Sequence, residues 1–92
     1  MFEQGQRCTL RLRAVSGTPL DEPMVREMVE ASARGLAERM GVVLHAVQID
    51  DVSITLDMGV DTLSGVGFLA ELRRATNAWY EGKFRDGPLW GT

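Results

Sequence analysis

VVLHAVQIDDVSITLDM, residues 42–58, decides the fold. Two apolar-rich runs, VVLHAVQI and VSITLDM, flank Asp50-Asp51, and aspartate favours turns because its side chain bonds the backbone beyond it. A two-residue loop at that pair sets Ile49 opposite Val52, Val47 opposite Ile54, His45 opposite Leu56 and Val43 opposite Met58. Seven of those eight residues are apolar, while Gln48, Ser53, Thr55 and Asp57 fall on the other face beside Ala46 and Leu44. A slip by one residue would exchange the faces, so the pattern predicts an antiparallel hairpin with one buried side. Asp-Asp suits a primed turn less well than Asn-Gly, and a longer loop stays open as the alternative.

Upstream, CTLRLRAV (8–15) alternates: Cys8, Leu10, Leu12 and Ala14 point one way, Thr9, Arg11 and Arg13 the other. That is a strand with one buried face. After the turn-rich SGTPLDEP, Asp21 is a good N-cap, with Glu22 and Pro23 in the first turn of a helix. Val25, Met28, Val29, Ser32, Leu36 and Met40 recur at helical spacing, and Gly41 stands where a left-handed cap belongs. Met24, Met28, Met40 and Met58 are spaced as core filler.

Downstream, a second helix is predicted over 64–80, with Phe68, Leu72, Ala75 and Trp79 as its stripe and Leu69 and Thr76 widening it. Gly65 and Gly67 weaken its first turn, and close approach of another backbone explains them. The tail, EGKFRDGPLWGT, reads as a turn followed by Pro88, Leu89 and Trp90, apolar residues that should dock.

The order β-α-β-β-α predicts one α+β domain over residues 1–92, with two helices on one face of an antiparallel sheet. It resembles a ferredoxin-like arrangement whose last strand is missing, or is supplied by the tail or a partner subunit. The sheet edge so exposed leads us to expect a homodimer, formed through that edge or the C-terminal tail.

Ninety-two residues with 45% hydrophobic and 25% charged content suit a small soluble domain near the lower size limit for an unaided core. The net charge of −3 argues against a free-standing duplex binder, which needs a positive surplus to displace counterions. One cysteine excludes an intrachain disulfide. MFEQGQR lacks the apolar stretch of a signal peptide, and no run reaches membrane-spanning length, so the expected compartment is the cytoplasm, with no membrane partner.

VVLHAVQI, DDVSITL, FLAELRRATNAWY and DGPLWG are similar in layout to the central part of the single-tyrosine HUH transposases, including the REP-associated ones. About half the chain carries the resemblance. In that family a strand after the first helix leads to a His-hydrophobic-His strand that binds a divalent metal. A Leu-, Arg- and Asn-rich helix and a Gly-x-Leu-Trp-like segment follow. Asp51 and Ser53 stand here at the two histidine positions, and neutral serine is a poor ligand for a hard cation. The family's nucleophilic tyrosine lies on a helix later than any in this chain, and Tyr80, the one tyrosine, belongs to the wrong helix. Cleavage by the family mechanism needs both metal and tyrosine. The resemblance therefore implies a shortened, catalytically inert relative with no metal and no cofactor, retaining nucleic-acid binding or an assembly role. Its partner would be single-stranded or hairpin DNA.

Arg11 and Arg13 on the first strand, with Arg73, Arg74, Lys83 and Arg85 near the second helix, are the candidate phosphate contacts. The competing reading is a solvated face paired with Glu71, Glu81 and Asp86. Trp79, Tyr80, Phe84 and Trp90 would stack bases or, as the favoured reading has it, anchor the core and a dimer. Asp50-Asp51 reads as a solvated turn rather than a metal site shared with Asp57. His45 reads as a core histidine, and Cys8 as a buried, inert thiol. Two other functional classes remain open. One is a small dimeric interaction module without nucleic acid; the other is an enzyme whose site joins His45, Asp51, Asp57 or Cys8 across a dimer interface.

Overall fold

The computed structural model describes residues 6–85 and 87–91. Their elements run β1 (Cys8–Arg13), a 3₁₀ turn (Pro19–Asp21), α1 (Pro23–Met40), β2 (Leu44–Ile49), β3 (Ser53–Met58) and α2 (Thr62–Phe84). This is an α+β fold whose sheet order is β1-β3-β2, both pairs antiparallel. The central strand β3 buries Ile54, Leu56 and Met58, and these meet Cys8 and Leu12 of β1 and the inner faces of both helices in one cluster. Thr9, Arg11 and Arg13 point the opposite way and are exposed. One side of the sheet therefore carries the helices and the other side is open.

The hairpin forms where polarity predicts it, two residues out of the expected register. Ile49 faces Ile54 and Val47 faces Leu56. The two-residue loop is corrected to a longer one, because Asp50 organises it. The Asp50 N–H donates to the Ser53 carbonyl at 3.0 Å. Its carboxylate accepts from the Val52 N–H at 2.9 Å and from the Ser53 hydroxyl at 3.0 Å. An even shift preserves the faces, so the buried side keeps its apolar residues. His45 is the exception. A register shift between Leu44 and Ala46 sets Leu44 against Met58, and the extra residue of that bulge turns His45 to solvent. His45 is not a core residue, and Val43, expected opposite Met58, is exposed as well.

α1 begins one residue later than Asp21 suggests. Glu22 is the N-cap, its carboxylate accepting from the Met24 N–H at 3.2 Å, and Pro23 takes the first helical position, where its missing N–H costs nothing. Gly41 ends the helix in the left-handed conformation, φ 71°. The buried stripe is Val25, Val29, Ala33, Leu36 and Ala37. Met24 and Met40 are exposed, so methionine as core filler is confined to Met58 and, half-buried, Met28.

α2 is longer than its periodicity indicates, starting at the Asp61 N-cap and continuing past Tyr80 to Phe84. It buries Gly65, Phe68, Leu69, Leu72 and Thr76, while Ala75 is exposed. A Cβ on Gly65 would collide with Cys8 Sγ, so the close approach there is by side chains of the sheet and not by the backbone expected; Gly67 has open space around it.

The tail docks through Leu89 and Trp90, both buried, with Pro88 left exposed. Asn77 Oδ1 accepts from the Leu89 N–H at 2.8 Å and the Trp90 N–H at 3.0 Å. Trp90 Nε1 donates to Thr76 Oγ1 at 2.7 Å. The Val15 N–H donates to the Leu89 carbonyl and the Gly91 N–H to the Arg13 carbonyl, so Trp90 forms an antiparallel bridge with Ala14. Among the described residues no helix is long and apolar enough to cross a membrane.

Candidate nucleic-acid interface

Strand parity builds the open face. Along β1 it carries Thr9, Arg11 and Arg13, and register sets these against Asp57, Thr55 and Ser53 of β3. Gln48 of β2 lies opposite Thr55 and Ala46 opposite Asp57. Arg7, one residue before β1, has the same parity and reaches this face: its guanidinium donates to Asp57 Oδ2 at 2.6 Å. Arg11 Nε donates to Thr55 Oγ1 at 3.2 Å, which holds its head over the sheet. Arg13 makes no ion pair among the described residues. A shallow depression between Thr9, Ala46, Gln48, Thr55 and Asp57 lies beside these cations.

The electrostatics follow from the pairings. Hydrogen bonding from Arg7 holds the Asp57 carboxyl below the usual carboxylate range, and the charges of Arg7 and His45 add to it. The Arg7 guanidinium is raised by the same contact. Asp50 is also lowered, chiefly by the Val52 N–H and then by the Ser53 hydroxyl, with Arg11 contributing through space. With Asp57 already engaged by Arg7, the outward charge of the β1 row is positive.

The remaining predicted contacts lie elsewhere. Arg74 is on α2, on the helical side, chelating Glu71 at 2.6 Å as the solvated-face reading expects. Arg73 is half-buried on the same helix, and its Nε has no partner among the described residues. Lys83 and Arg85 stand exposed at the C-terminal end of α2. These four belong to α2 or its C-terminal cap, and α2 packs on the helical side of the sheet, whereas Arg11 and Arg13 are exposed on its open side. Asp86, an expected partner, lies outside the described residues. The aromatic residues are also away from the open face. Trp90 is core, and Trp79, Tyr80 and Phe84 cluster at the end of α2, with Tyr80 and Phe84 ring centroids 4.8 Å apart.

The residues weighed for catalysis do not converge. Cys8 is buried on the helical side. Asp51 pairs with Arg26 at 3.3 Å at the hairpin tip, far along the strands from Asp57. Only His45 and Asp57 lie close enough to influence each other. Among the described residues no three His, Cys, Asp or Glu side chains are grouped to hold a metal ion. Arg7 is the functional candidate that strand reading passes over. Its signal was parity, since the alternation 9, 11, 13 extends back to 7. No protein-family model matches this chain, and no curated protein matches it significantly.

Proposed function

We propose that this chain is a non-catalytic binding domain that takes a phosphate-bearing single strand of nucleic acid across its open sheet face. One observation carries the reading: Arg11 and Arg13 of β1, with Arg7 just before it, project onto a face that no helix covers, among the neutral donors Thr9, Thr55 and Gln48. Guanidinium groups suit phosphate because their planar fork donates two parallel hydrogen bonds. Among the described residues no aromatic side chain joins this row, which makes the contact a backbone one, tolerant of sequence. In this reading the fold is ferredoxin-like, with the last strand reduced to the bridge between Trp90 and Ala14, and the chain is an inert relative of the HUH transposases. Asp51 and Ser53 fit that descent: one is bound to Arg26, and the other spends its hydroxyl on Asp50.

Fluorescence anisotropy with a labelled single-stranded oligonucleotide, run at low and at physiological salt, tests the role. Binding is expected at low salt, weakening as salt rises, and lost in an Arg7→Ala, Arg11→Ala, Arg13→Ala variant. A flat titration at low salt would falsify it. A second reading, homodimerisation, has its own observation. β2 (LHAVQI) is an outer strand with no Asp, Glu, Lys or Arg to discourage pairing. Light scattering decides it, and a strictly monomeric species removes the dimer.

A further inference from the structure

We infer that the groove between the Pro19–Pro23 turn and the C-terminal end of α2 is a docking site for a peptide segment bearing an arginine beside proline or another apolar residue. The groove holds about 340 Å³. Pro19 and Pro23 form one wall and Tyr80 and Phe84 the other, with Val25, itself buried, also lining it. The two rings are tilted 43° to each other, and Phe84 remains 40% exposed although Trp79 also packs against it edge-on. An aromatic ring left open beside two prolines is a rigid apolar surface that loses little freedom on binding, the kind of groove that receives proline-containing segments.

Charge selects the occupant. Asp21 and Glu22 line the same groove. Asp21 makes no ion pair among the described residues, and Glu22 accepts only the Met24 N–H. The Leu20 N–H donates to the Asp51 carbonyl, which brings the hairpin tip with Asp50 and Asp51 to this end of the molecule. The cation held there is Arg26, already bound to Asp51 and to the Leu20 and Ile49 carbonyls. Lys83 and Arg85 flank Phe84 in sequence but are not among the residues lining the groove. A guanidinium entering it would meet the Tyr80 and Phe84 rings and the Asp21 carboxylate together. This surface lies on the helical side and has the opposite sign to the arginine row of β1, so the two can be tested apart.

The experiment is an amide-resolved NMR titration of the whole chain with the capped peptide Pro-Pro-Leu-Pro-Arg, against the same peptide carrying neutral citrulline for arginine. Saturable shifts are expected at Asp21, Glu22, Tyr80 and Phe84. Binding should be at least about threefold weaker for the citrulline peptide and for Asp21→Asn, and lost in Phe84→Ala, whose exposed position leaves the core intact. Equal affinity for the two peptides, shifts confined to other surfaces, or none up to about 2 mM peptide overturns the site. So does a concentration-dependent shift of these residues without peptide, which would make a second copy the occupant.

Discussion

Gly65 and Gly59 show how the same substitution separates by what the new Cβ meets. At Gly65 it meets Cys8 Sγ, Leu10 and Met58 on the sheet, side chains short of room because the helix lies directly on them. Gly65→Ala should therefore cost about 1–3 kcal/mol in denaturant melts, against a helix-propensity gain of about 1 kcal/mol. Cys8→Ala in the same chain should recover part of the loss. At Gly59 the obstacle is the His45 imidazole, 2.9 Å away, on an exposed residue that can swing aside. Gly59→Ala should stay within about 0.5 kcal/mol. Thr76→Val is the polar counterpart. It removes the acceptor of Trp90 Nε1, a buried donor, and should cost about 1–3 kcal/mol.

Among elements, the tail takes two of its backbone hydrogen bonds from one side chain. Asn77 gives a single oxygen to two consecutive backbone donors, Leu89 and Trp90. Replacing it with Ala should loosen the tail before the rest of the fold, so hydrogen exchange should rise at residues 89–91 while the amides of β3 stay protected. The hairpin and helix starts depend on carboxylates in the same way. Asp50 organises the β2–β3 loop and Asp61 caps α2, where the Ser64 hydroxyl and then its N–H lower the carboxyl. A carboxyl depressed in the folded state stabilises it above its unfolded value, near 4, and loses that contribution as pH falls through the lower folded value. Acid unfolding should therefore set in below about pH 4, and an Asp50→Asn, Asp57→Asn, Asp61→Asn variant should show a flatter stability profile across that range.

For the whole molecule, two oppositely charged surfaces follow from one layered arrangement. Because the helices occupy one side of the sheet, the odd positions of β1, and residue 7 just before it, are left to solvent, and three of these four are arginine. Because the 3₁₀ turn meets the end of α2, carboxylates and aromatic rings collect on the other side. If the arginine row contacts three phosphates, the logarithm of affinity should fall against the logarithm of salt with a slope of about −2. Arg74→Ala and Lys83→Ala, on the helical side, should leave that slope unchanged.

Alternation at 8–14 and 52–58 and helical spacing at 25–36 were enough to specify the elements, their order and the buried side of the sheet, since both patterns record which side chains must leave water. The left-handed cap at Gly41 was equally legible; at Gly65 the need for a small residue was legible but not its cause, which is side chains of the sheet and not a backbone. Register was not. It depended on the Asp50 carboxylate closing a longer loop and on a bulge that turned His45 outward, and neither alters the polarity pattern from which strands are read. Which basic residues share a surface was also beyond the chain order. Arg11 and Arg73 are both polar at their own element's period, and only the packing of α2 onto the opposite side of β1 sets them apart, whereas Arg7 follows from the alternation itself.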